Sequence, residues 1–399
     1  MSASNSTTDI NPYRADFPIL QRPGVYLNHA AMGPWARPTA LAVQQFAQEN
    51  LEQGAAHYVR WMQIENQVHH QLAQLLNAEH VDDIALCKNT SEGLSLIANG
   101  IEWNAGDEVV IPDIEFPSNR LPWLAQAPHG VSVHEVSLSG NETSEPSPEQ
   151  ALMAACNNNT RLMSVSAVQY GNGLRLDIAT LGAFCRANNI LFCVDAIQQL
   201  GALPLDVQSS ACDFVVADAH KWLLGPEGIA VFYSTAKARA QLRDQQQGWR
   251  MYEQPFNFDR SDWSTPKSAR RFEPGSPNMV GIFALQASLK LLLDIGVETI
   301  AQRILSHSQK LSQGIAQMSQ LSLLSATEIE RSSGIVSFTT GHAESDAELQ
   351  KALKTQGILG AHRGGGIRWS PHFYQSSLDM EKALLELARC LAPSDPGTQ

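Results

Sequence analysis

The fold of this chain is decided by Asp213-Phe-Val-Val-Ala-Asp-Ala-His-Lys-Trp-Leu-Leu-Gly-Pro-Glu-Gly228, a short apolar run that ends in a polar tip. The run predicts a buried strand, and Lys221 follows its end. A charged ammonium is costly in such a place, so it tends to lose its proton or to find a partner. A neutral amine held in a pocket is a nucleophile that forms Schiff bases with aldehydes. An ordinary surface lysine is the alternative, and an isolated lysine would favour it.

A second strand-like run, Ile190-Leu-Phe-Cys-Val-Asp195, ends in a carboxylate 26 residues before Lys221. Enzymes that use pyridoxal 5'-phosphate (PLP) need this pair, a lysine for the aldehyde and a carboxylate for the pyridinium nitrogen. Gln198 follows closely and is a candidate hydrogen-bond partner for the phenolic oxygen of the cofactor. We therefore predict that Lys221 and Asp195 are catalytic and that they hold PLP.

A phosphate site is predicted at Asn89-Thr-Ser-Glu-Gly93, directly ahead of an apolar helical pattern. Thr90, Ser91 and the exposed amides of a helix N-terminus form an anion site, because unpaired N–H groups and the helix dipole both favour phosphate. An ordinary N-cap is the alternative interpretation. The polar tip adds Asp218 and His220 to the predicted cofactor site, since His220 can donate to the same phosphate.

An aromatic platform is predicted at Phe116, in a loop that follows the strand-like run ending at Ile111. An aromatic ring on such a loop can stack on a flat cofactor. Like the other three motifs, this loop comes at or just past the C-terminal end of a predicted strand. Open α/β sheets bind their ligands at this edge, so the motifs support one another.

The order of elements predicts an α/β fold with a mostly parallel sheet and helices on both faces. Short buried strands are predicted at 109–111, 162–166, 190–194, 214–217 and 229–232. Helical patterns separate several of them, for example at 91–99 and 178–188, and one long helical pattern covers 38–76. Residues 127–148 predict a loop, or a strand with a loop, and the irregular residues 237–275 suit an active-site wall.

We predict an N-terminal arm at 1–24, expected to be mobile, and a large cofactor-binding domain at 25–279. A smaller α+β domain follows at 280–399, with strands at 334–338 and 367–370, and the N-terminal segment can pack with it.

Composition excludes several function classes. A net charge of -12 and a pI near 5.4 argue against a nucleic-acid partner. No apolar stretch reaches the roughly 18 residues of a membrane helix, and the N-terminus lacks a signal pattern. The 6 cysteines show no CxxC spacing, which favours free thiols in the cytoplasm. His69, His70 and His80 do not form a convincing metal set, so no metal is predicted.

On these motifs the chain resembles fold-type I PLP enzymes of the class V aminotransferase group. That group holds cysteine desulfurases, selenocysteine lyases, kynureninases and isopenicillin-N-epimerase-like proteins. The resemblance runs from about residue 26 to 391 and is strongest over 217–228. It implies the large domain of the PLP-dependent transferase fold, an amino-acid substrate and a homodimer with shared active sites.

The resemblance also implies roles for residues outside the four motifs. Ser276 matches a segment that reaches the cofactor phosphate of the neighbouring subunit. Arg368 matches the arginine that binds the substrate carboxylate, and its bidentate fork suits that group, although a solvent-facing arginine is the alternative. His29 lies in a segment similar to the strand that closes over the active site and is a candidate substrate-binding residue. Position and chemistry add three further candidates for the wall that selects the substrate: Trp249, Arg250 and Tyr374.

Two departures narrow the expected activity. Cysteine desulfurases carry a histidine where Phe116 stands, and a persulfide-accepting cysteine on the loop that corresponds to 360–366, which has none here. We predict β-elimination or C–S lyase chemistry at the α-amino group of an amino acid, through a covalent bond between PLP and Lys221. An aminotransferase or an amino-acid epimerase is the alternative. A PLP-fold binding or regulatory protein is less favoured, because no basic patch flanks the fold.

Overall fold

The computed structural model describes residues 11–138, 146–259 and 261–392. Its strands are β1 Val25–Tyr26, β2 Ile84–Cys87, β3 Glu108–Pro112, β4 Ser132–Val136, β5 Thr160–Ser166, β6 Leu191–Asp195, β7 Phe214–Asp218, β8 Ala230–Ser234, β9 Ser322–Leu323, β10 Val336–Thr339, β11 Ile358–Leu359, β12 Ala361–Arg363 and β13 Gly366–Trp369. Its helices are α1 Asn11–Arg14, α2 Arg37–Gln53, α3 Tyr58–Leu76, α4 Thr90–Gly100, α5 Leu121–Leu124, α6 Pro148–Ala155, α7 Ile178–Ala187, α8 Ala236–Arg239, α9 Met279–Ile295, α10 Val297–Ala316, α11 Ala343–Thr355 and α12 Ser377–Leu391.

The central sheet has seven strands in the order β2-β8-β7-β6-β5-β3-β4. The five strands from β7 to β4 run parallel, and β8 is antiparallel to both of its neighbours. The predicted α/β fold with a mostly parallel sheet is therefore confirmed. The sequence pattern missed β2, and β4 lies in the region predicted as a loop or a strand with a loop.

The inner strands read as continuous apolar runs because helices cover both faces of the sheet. Every residue of β7 is buried. Phe214 and Val216 contribute to one apolar cluster together with Leu94 of α4, whereas Val215 and Ala217 contribute to the cluster on the other face. The polar residues at the strand ends are consequently left at the edge of the sheet, where the candidate site lies.

The long helical pattern predicted over 38–76 is wrong as a single helix. The structure has two helices, α2 and α3, with a break that begins at Gly54. Gly54 adopts a φ of 56°. This left-handed region suits glycine, which has no Cβ, so α2 ends here despite the apolar periodicity on both sides.

The C-terminal part of the chain forms a four-stranded antiparallel sheet in the order β12-β13-β10-β9. The N-terminal strand β1 pairs with β11 of this part. Residues 1–10 of the predicted arm lie outside the described residues. Phe17, in its described part, is buried and stacks on Tyr374 with 3.8 Å between ring centroids, so this part packs against the fold. The domain limits at 24 and 279 stay a prediction.

Within the described residues, no single helix is both long and apolar enough to cross a membrane. The helices α9 and α10 meet that criterion only as a pair, and the pair is bent by 82°.

Candidate active site

A cavity of about 300 Å³ lies at the carboxyl ends of the parallel strands. This volume is at the lower end of the range for small-molecule sites. It is lined by Ala30, Ala31, Thr90, Phe116, Ser118, Tyr170, Asp195, Ile197, Gln198, Asp218, His220, Lys221, Arg363 and Arg368. The fold thus brings together eight residues that the sequence motifs had singled out: Thr90, Phe116, Asp195, Gln198, Asp218, His220, Lys221 and Arg368.

Lys221 and Asp195 both line this cavity. Burial lowers the pKa of Lys221 from 10.5 to about 8, while the charge of Asp195 opposes that change. Burial likewise raises the pKa of Asp195 to about 7. Its Oδ1 accepts a hydrogen bond of 2.9 Å from the backbone N–H of Ile197, which holds the carboxylate in place. Part of the Lys221 amine is therefore neutral near physiological pH. A nearby cation would stabilise the ionised form of the Asp195 carboxylate.

The N-terminus of α4 and the end of β7 meet at the cavity. Asp218 Oδ2 accepts from the Thr90 backbone N–H at 3.0 Å, which fixes the helix end against the strand end. His220 Nδ1 lies 3.7 Å from Asp218 Oδ1, and it is buried without a hydrogen-bond partner among the described residues. Ser91 does not line the cavity, but its Oγ lies 2.8 Å from Oγ of Ser118, which does.

Phe116 lines the cavity and is 38% exposed. Its ring contacts that of Tyr170 edge-on at 5.1 Å, and Lys221 Nζ lies 5.9 Å from its centroid. The preceding residue, Glu115, is buried and accepts from the backbone N–H of Ser166 at 2.6 Å. This bond ties the Phe116 loop to the end of β5. Sequence reasoning missed Glu115, although a carboxylate directly beside a predicted platform residue was a usable signal.

Two arginines, Arg363 and Arg368, also line the cavity. Arg368 is 2% exposed, donates from Nη1 to the Tyr170 carbonyl at 2.6 Å, and leaves a buried Nε without a partner among the described residues. Burial, followed by the charge of Arg363, lowers the pKa of Arg368 to about 10. Sequence reasoning missed Arg363, which precedes the tight turn at Gly364 and Gly365, where φ is 65° and 80°. The turn directs a C-terminal hairpin toward the cavity.

None of the four predicted wall residues lines this cavity. His29 is fully buried, with Nδ1 2.7 Å from the Ser370 carbonyl and Nε2 2.6 Å from the Tyr374 hydroxyl. Burial lowers the pKa of His29 to about 4, so the ring is neutral. Trp249 packs on Phe256 instead. His29 and Tyr374 are therefore hydrogen-bonded to each other in the interior of the protein. The position of His29 does not support the substrate-binding role predicted for it.

Ser276 lies at a different cavity, together with Gly228, Asn278 and Arg250. Its predicted role toward a neighbouring subunit stays a prediction. Arg250 is explained by a buried ion pair: its two terminal nitrogens donate to Glu65 Oε1 and Oε2 at 2.9 and 2.8 Å. Only 5% of the Arg250 side chain and none of the Glu65 side chain is exposed.

Replacing Glu65 by alanine is expected to lower the free energy of unfolding by about 3–5 kcal/mol, because the Arg250 charge would stay buried without its partner. Urea denaturation followed by circular dichroism measures the loss. Asp294→Ala is the control, since it breaks the exposed pair with Lys290 and should leave the denaturation midpoint nearly unchanged. If the Glu65→Ala protein were as stable as this control, the ion pair between Arg250 and Glu65 would not contribute to stability.

The groups around the cavity fit PLP. The cofactor requires an amine, a carboxylate, an aromatic face and anion donors, and these are Lys221, Asp195, Phe116 and the N-terminus of α4 with His220. Two buried nitrogens have no partner among the described residues, His220 Nδ1 and Arg368 Nε, and both residues line the cavity. A bound ligand with anionic groups would supply acceptors there. Across the described residues, no cluster of three or more His, Cys, Asp or Glu side chains is arranged to hold a metal ion.

The sequence matches the family described as Aminotransferase class-V over residues 25–368. It is 26% identical over 388 residues to a probable cysteine desulfurase of Methanothermobacter thermautotrophicus, covering 92% of this chain and 94% of the relative. It is 28% identical over 376 residues to the uncharacterized aminotransferase YcbU of Bacillus subtilis, covering 94% and 96%.

The fold is similar to that of the cystine C–S lyase C-DES, solved with its reaction product cysteine persulfide, with a TM-score of 0.86 at 23% identity. The superposition covers 93% of this chain and 99% of C-DES. Both the family match and the residues around Lys221 lead to one conclusion: the chain belongs to the class V aminotransferase family of PLP-dependent enzymes.

Proposed function

We propose that this enzyme is a C–S lyase that removes the sulfur substituent from the β-carbon of a cysteine-like amino acid. The observation that carries the proposal is the Lys221 amine, whose pKa burial lowers to about 8, in one cavity with Asp195 and Arg368. The similarity to a probable cysteine desulfurase and to the cystine C–S lyase C-DES supports the choice of a sulfur substrate.

The residues of the cavity divide between cofactor and substrate. Bound PLP would supply an aldehyde for amine exchange and an aromatic ring that accepts electrons from Cα. Lys221 would hold the aldehyde, Asp195 would keep the ring nitrogen protonated, and Phe116 would cover the ring. Thr90 and His220 would hold the phosphate, and Ser91 would support this site through its contact with Ser118, which lines the cavity.

Arg368 binds the α-carboxylate of the substrate by a bidentate contact. When its amine is not attached to the cofactor, Lys221 would take the proton from Cα as a general base. The Cβ–S bond then breaks, and the sulfur leaves with the electron pair as a thiolate. Water converts the remaining unsaturated amino acid to a keto acid and ammonia, so atoms and electrons balance without an external oxidant.

No cysteine lines the cavity in the described part of the chain. Cys390, near the end of α12, is not among the lining residues. The segment at 360–366, which contains β12 and the turn to β13, corresponds to the loop where desulfurases place their sulfur acceptor and carries Arg363 and a run of glycines. We therefore propose that sulfur leaves as a small molecule rather than as a persulfide on this protein.

We further propose that the enzyme acts as a homodimer in which Ser276 of each subunit contributes to the cofactor phosphate site of the other. The predicted trans role and the position of Ser276 outside the Lys221 cavity support this arrangement. Light scattering after size-exclusion chromatography tests the assembly. A monomer that turns over substrate at the full rate would contradict it.

Purified protein loaded with PLP tests the proposed reaction. We expect equal amounts of a keto acid and a released sulfur product, which is a persulfide when the substrate is cystine and sulfide when it is cysteine. If an added keto acid were converted to an amino acid without release of sulfur, the enzyme would be an aminotransferase rather than a lyase. Loss of optical activity without either product would replace it by an epimerase.

The uptake of PLP by the cofactor-free protein should depend on pH with a midpoint near 8. Only the neutral amine attacks the aldehyde, and at pH 8 about half of an amine with a pKa of 8 is neutral, against under about 1% at a pKa of 10.5. The rate at which the visible absorption band appears is therefore expected to rise as pH increases through this range. Stopped-flow absorbance between pH 6 and about 10.5 measures the midpoint.

Arg363→Gln serves as the control for this titration. The Arg363 charge contributes to the low pKa of Lys221, so its removal is expected to shift the midpoint to higher pH. A wild-type midpoint near the ordinary lysine value would show that the cavity does not activate Lys221.

A further inference from the structure

Gln198 lies at the cavity with both ends of its amide engaged by other parts of the protein. Its Oε1 accepts a hydrogen bond of 2.9 Å from Trp222 Nε1, and its Nε2 donates to the Ala30 carbonyl at 3.0 Å. The indole N–H can only donate, so the atom that faces it must be the amide oxygen. The orientation of the Gln198 amide is therefore set by its partners, which an isolated glutamine would leave open.

This orientation leaves one polar group for the cavity. The amide nitrogen carries two N–H bonds, and Ala30 uses one of them. The second N–H has no acceptor among the described residues. Gln198 lines the cavity and is 2% exposed. Gln198 can therefore present an N–H donor to a ligand, while its amide oxygen is held toward Trp222.

Trp222 is itself held firmly. It is fully buried, and its carbonyl accepts from Nε2 of His372 at 3.3 Å. The Phe373 backbone N–H donates to Nδ1 of His372 at 2.9 Å, so Nε2 is the nitrogen that carries the proton. The indole fills a space that exists because residue 334 is glycine: a Cβ there would lie 2.4 Å from the ring. Little room remains for the indole to move away from Gln198.

We propose that Trp222 is a positioning residue that fixes the Gln198 amide as a hydrogen-bond donor to the phenolic oxygen of PLP. The inference rests on the proposed function, since it requires PLP in this cavity. A fixed donor stabilises the anionic form of that oxygen and so makes the cofactor bound to Lys221 more acidic. The residue after the active-site lysine thereby tunes the cofactor without touching it.

The test is a pH titration of the visible absorption band in the PLP-loaded protein. Trp222→Phe keeps an aromatic ring and removes the N–H donor, so we expect the midpoint to rise by about one pH unit, and PLP to dissociate about tenfold more readily. Trp369→Phe is the matched control, because that indole is also fully buried but its Nε1 has no partner among the described residues. Its midpoint should stay at the wild-type value.

A double-variant cycle separates positioning from general damage. If Trp222 acts through Gln198, then Trp222→Phe combined with Gln198→Ala should titrate like Gln198→Ala alone, since the two effects are not additive. Equal shifts in Trp222→Phe and Trp369→Phe, or additive shifts in the double variant, would overturn the proposal. A wild-type midpoint in Gln198→Ala would overturn it while leaving the proposed function standing. Failure of the wild type to bind PLP would overturn both.

Discussion

Replacing Lys221 by alanine is expected to reduce turnover by at least about 10²–10⁴-fold, the usual contribution of a general base, and to abolish the visible absorption band that PLP forms with the protein. The variant loses both the covalent attachment of the cofactor and the amine that takes the Cα proton. Steady-state release of keto acid and spectra after addition of PLP measure the two losses. PLP should still bind non-covalently, because Thr90, His220 and Asp195 remain.

Stability measurements show whether such a loss is catalytic. Lys221 is a buried amine whose charge costs free energy, so its removal should not lower the melting temperature of the cofactor-free protein. Lys351→Ala, on an exposed position of α11, is the control and should keep the band and the activity. If the Lys221→Ala protein still formed the band, PLP would be attached to another lysine.

The sheet could be predicted because its inner strands are covered on both faces and so appear as unbroken apolar runs. Residues 214–217 and 190–194 gave this signal, and both coincide with strands. The direction of β8 could not be predicted, because a buried strand has the same pattern in either direction. The break at Gly54 was missed for a different reason: helical periodicity continues on both sides, and one glycine does not by itself end a helix.

Within the candidate site, the motifs at strand ends could be found because parallel strands bring their carboxyl ends to one edge. Asp195, Lys221 and Thr90 meet in this way. Arg363 could not be found by that rule, since it arrives on a hairpin from the C-terminal sheet. The sequence could not show that the two nitrogens of His29 contact Ser370 and Tyr374, and its substrate-binding role stays a prediction.

The partners of a side chain are the information that sequence supplies least. Gln198 was predicted as a ligand of the phenolic oxygen from its distance to Asp195 along the chain. Only the fold shows that Trp222 and Ala30 fix its amide. The same holds for Arg250, which looks like a substrate contact in the sequence but is paired with Glu65 in the core.

Asp195→Asn is expected to lower kcat by about 10²–10³-fold, the cost typical of removing one preorganised electrostatic group, while PLP still attaches to Lys221. Asparagine keeps the shape of the side chain but cannot carry the negative charge that holds a proton on the ring nitrogen. Burial already raises the pKa of Asp195 to about 7, which means that the ionised form depends on a cationic partner. The Cα proton should therefore leave more slowly, and single-turnover measurements with a Cα-deuterated substrate report that step.

The control for this variant is Asp213→Asn, at the opposite end of β7 from Asp218. Asp213 is also partly buried and accepts from the Phe192 backbone N–H at 3.0 Å, but it does not line the Lys221 cavity. Its substitution should cost stability without slowing the Cα–H step.

If Asp195→Asn retained a wild-type kcat, the ring nitrogen would not need this carboxylate, and the cofactor would have to lie in the cavity in another orientation. Equal losses of kcat in the two variants would instead show that the loss comes from general damage to the central sheet. A loss confined to Asp195→Asn, with an enlarged deuterium effect, is the result that the electron-accepting role of the ring requires.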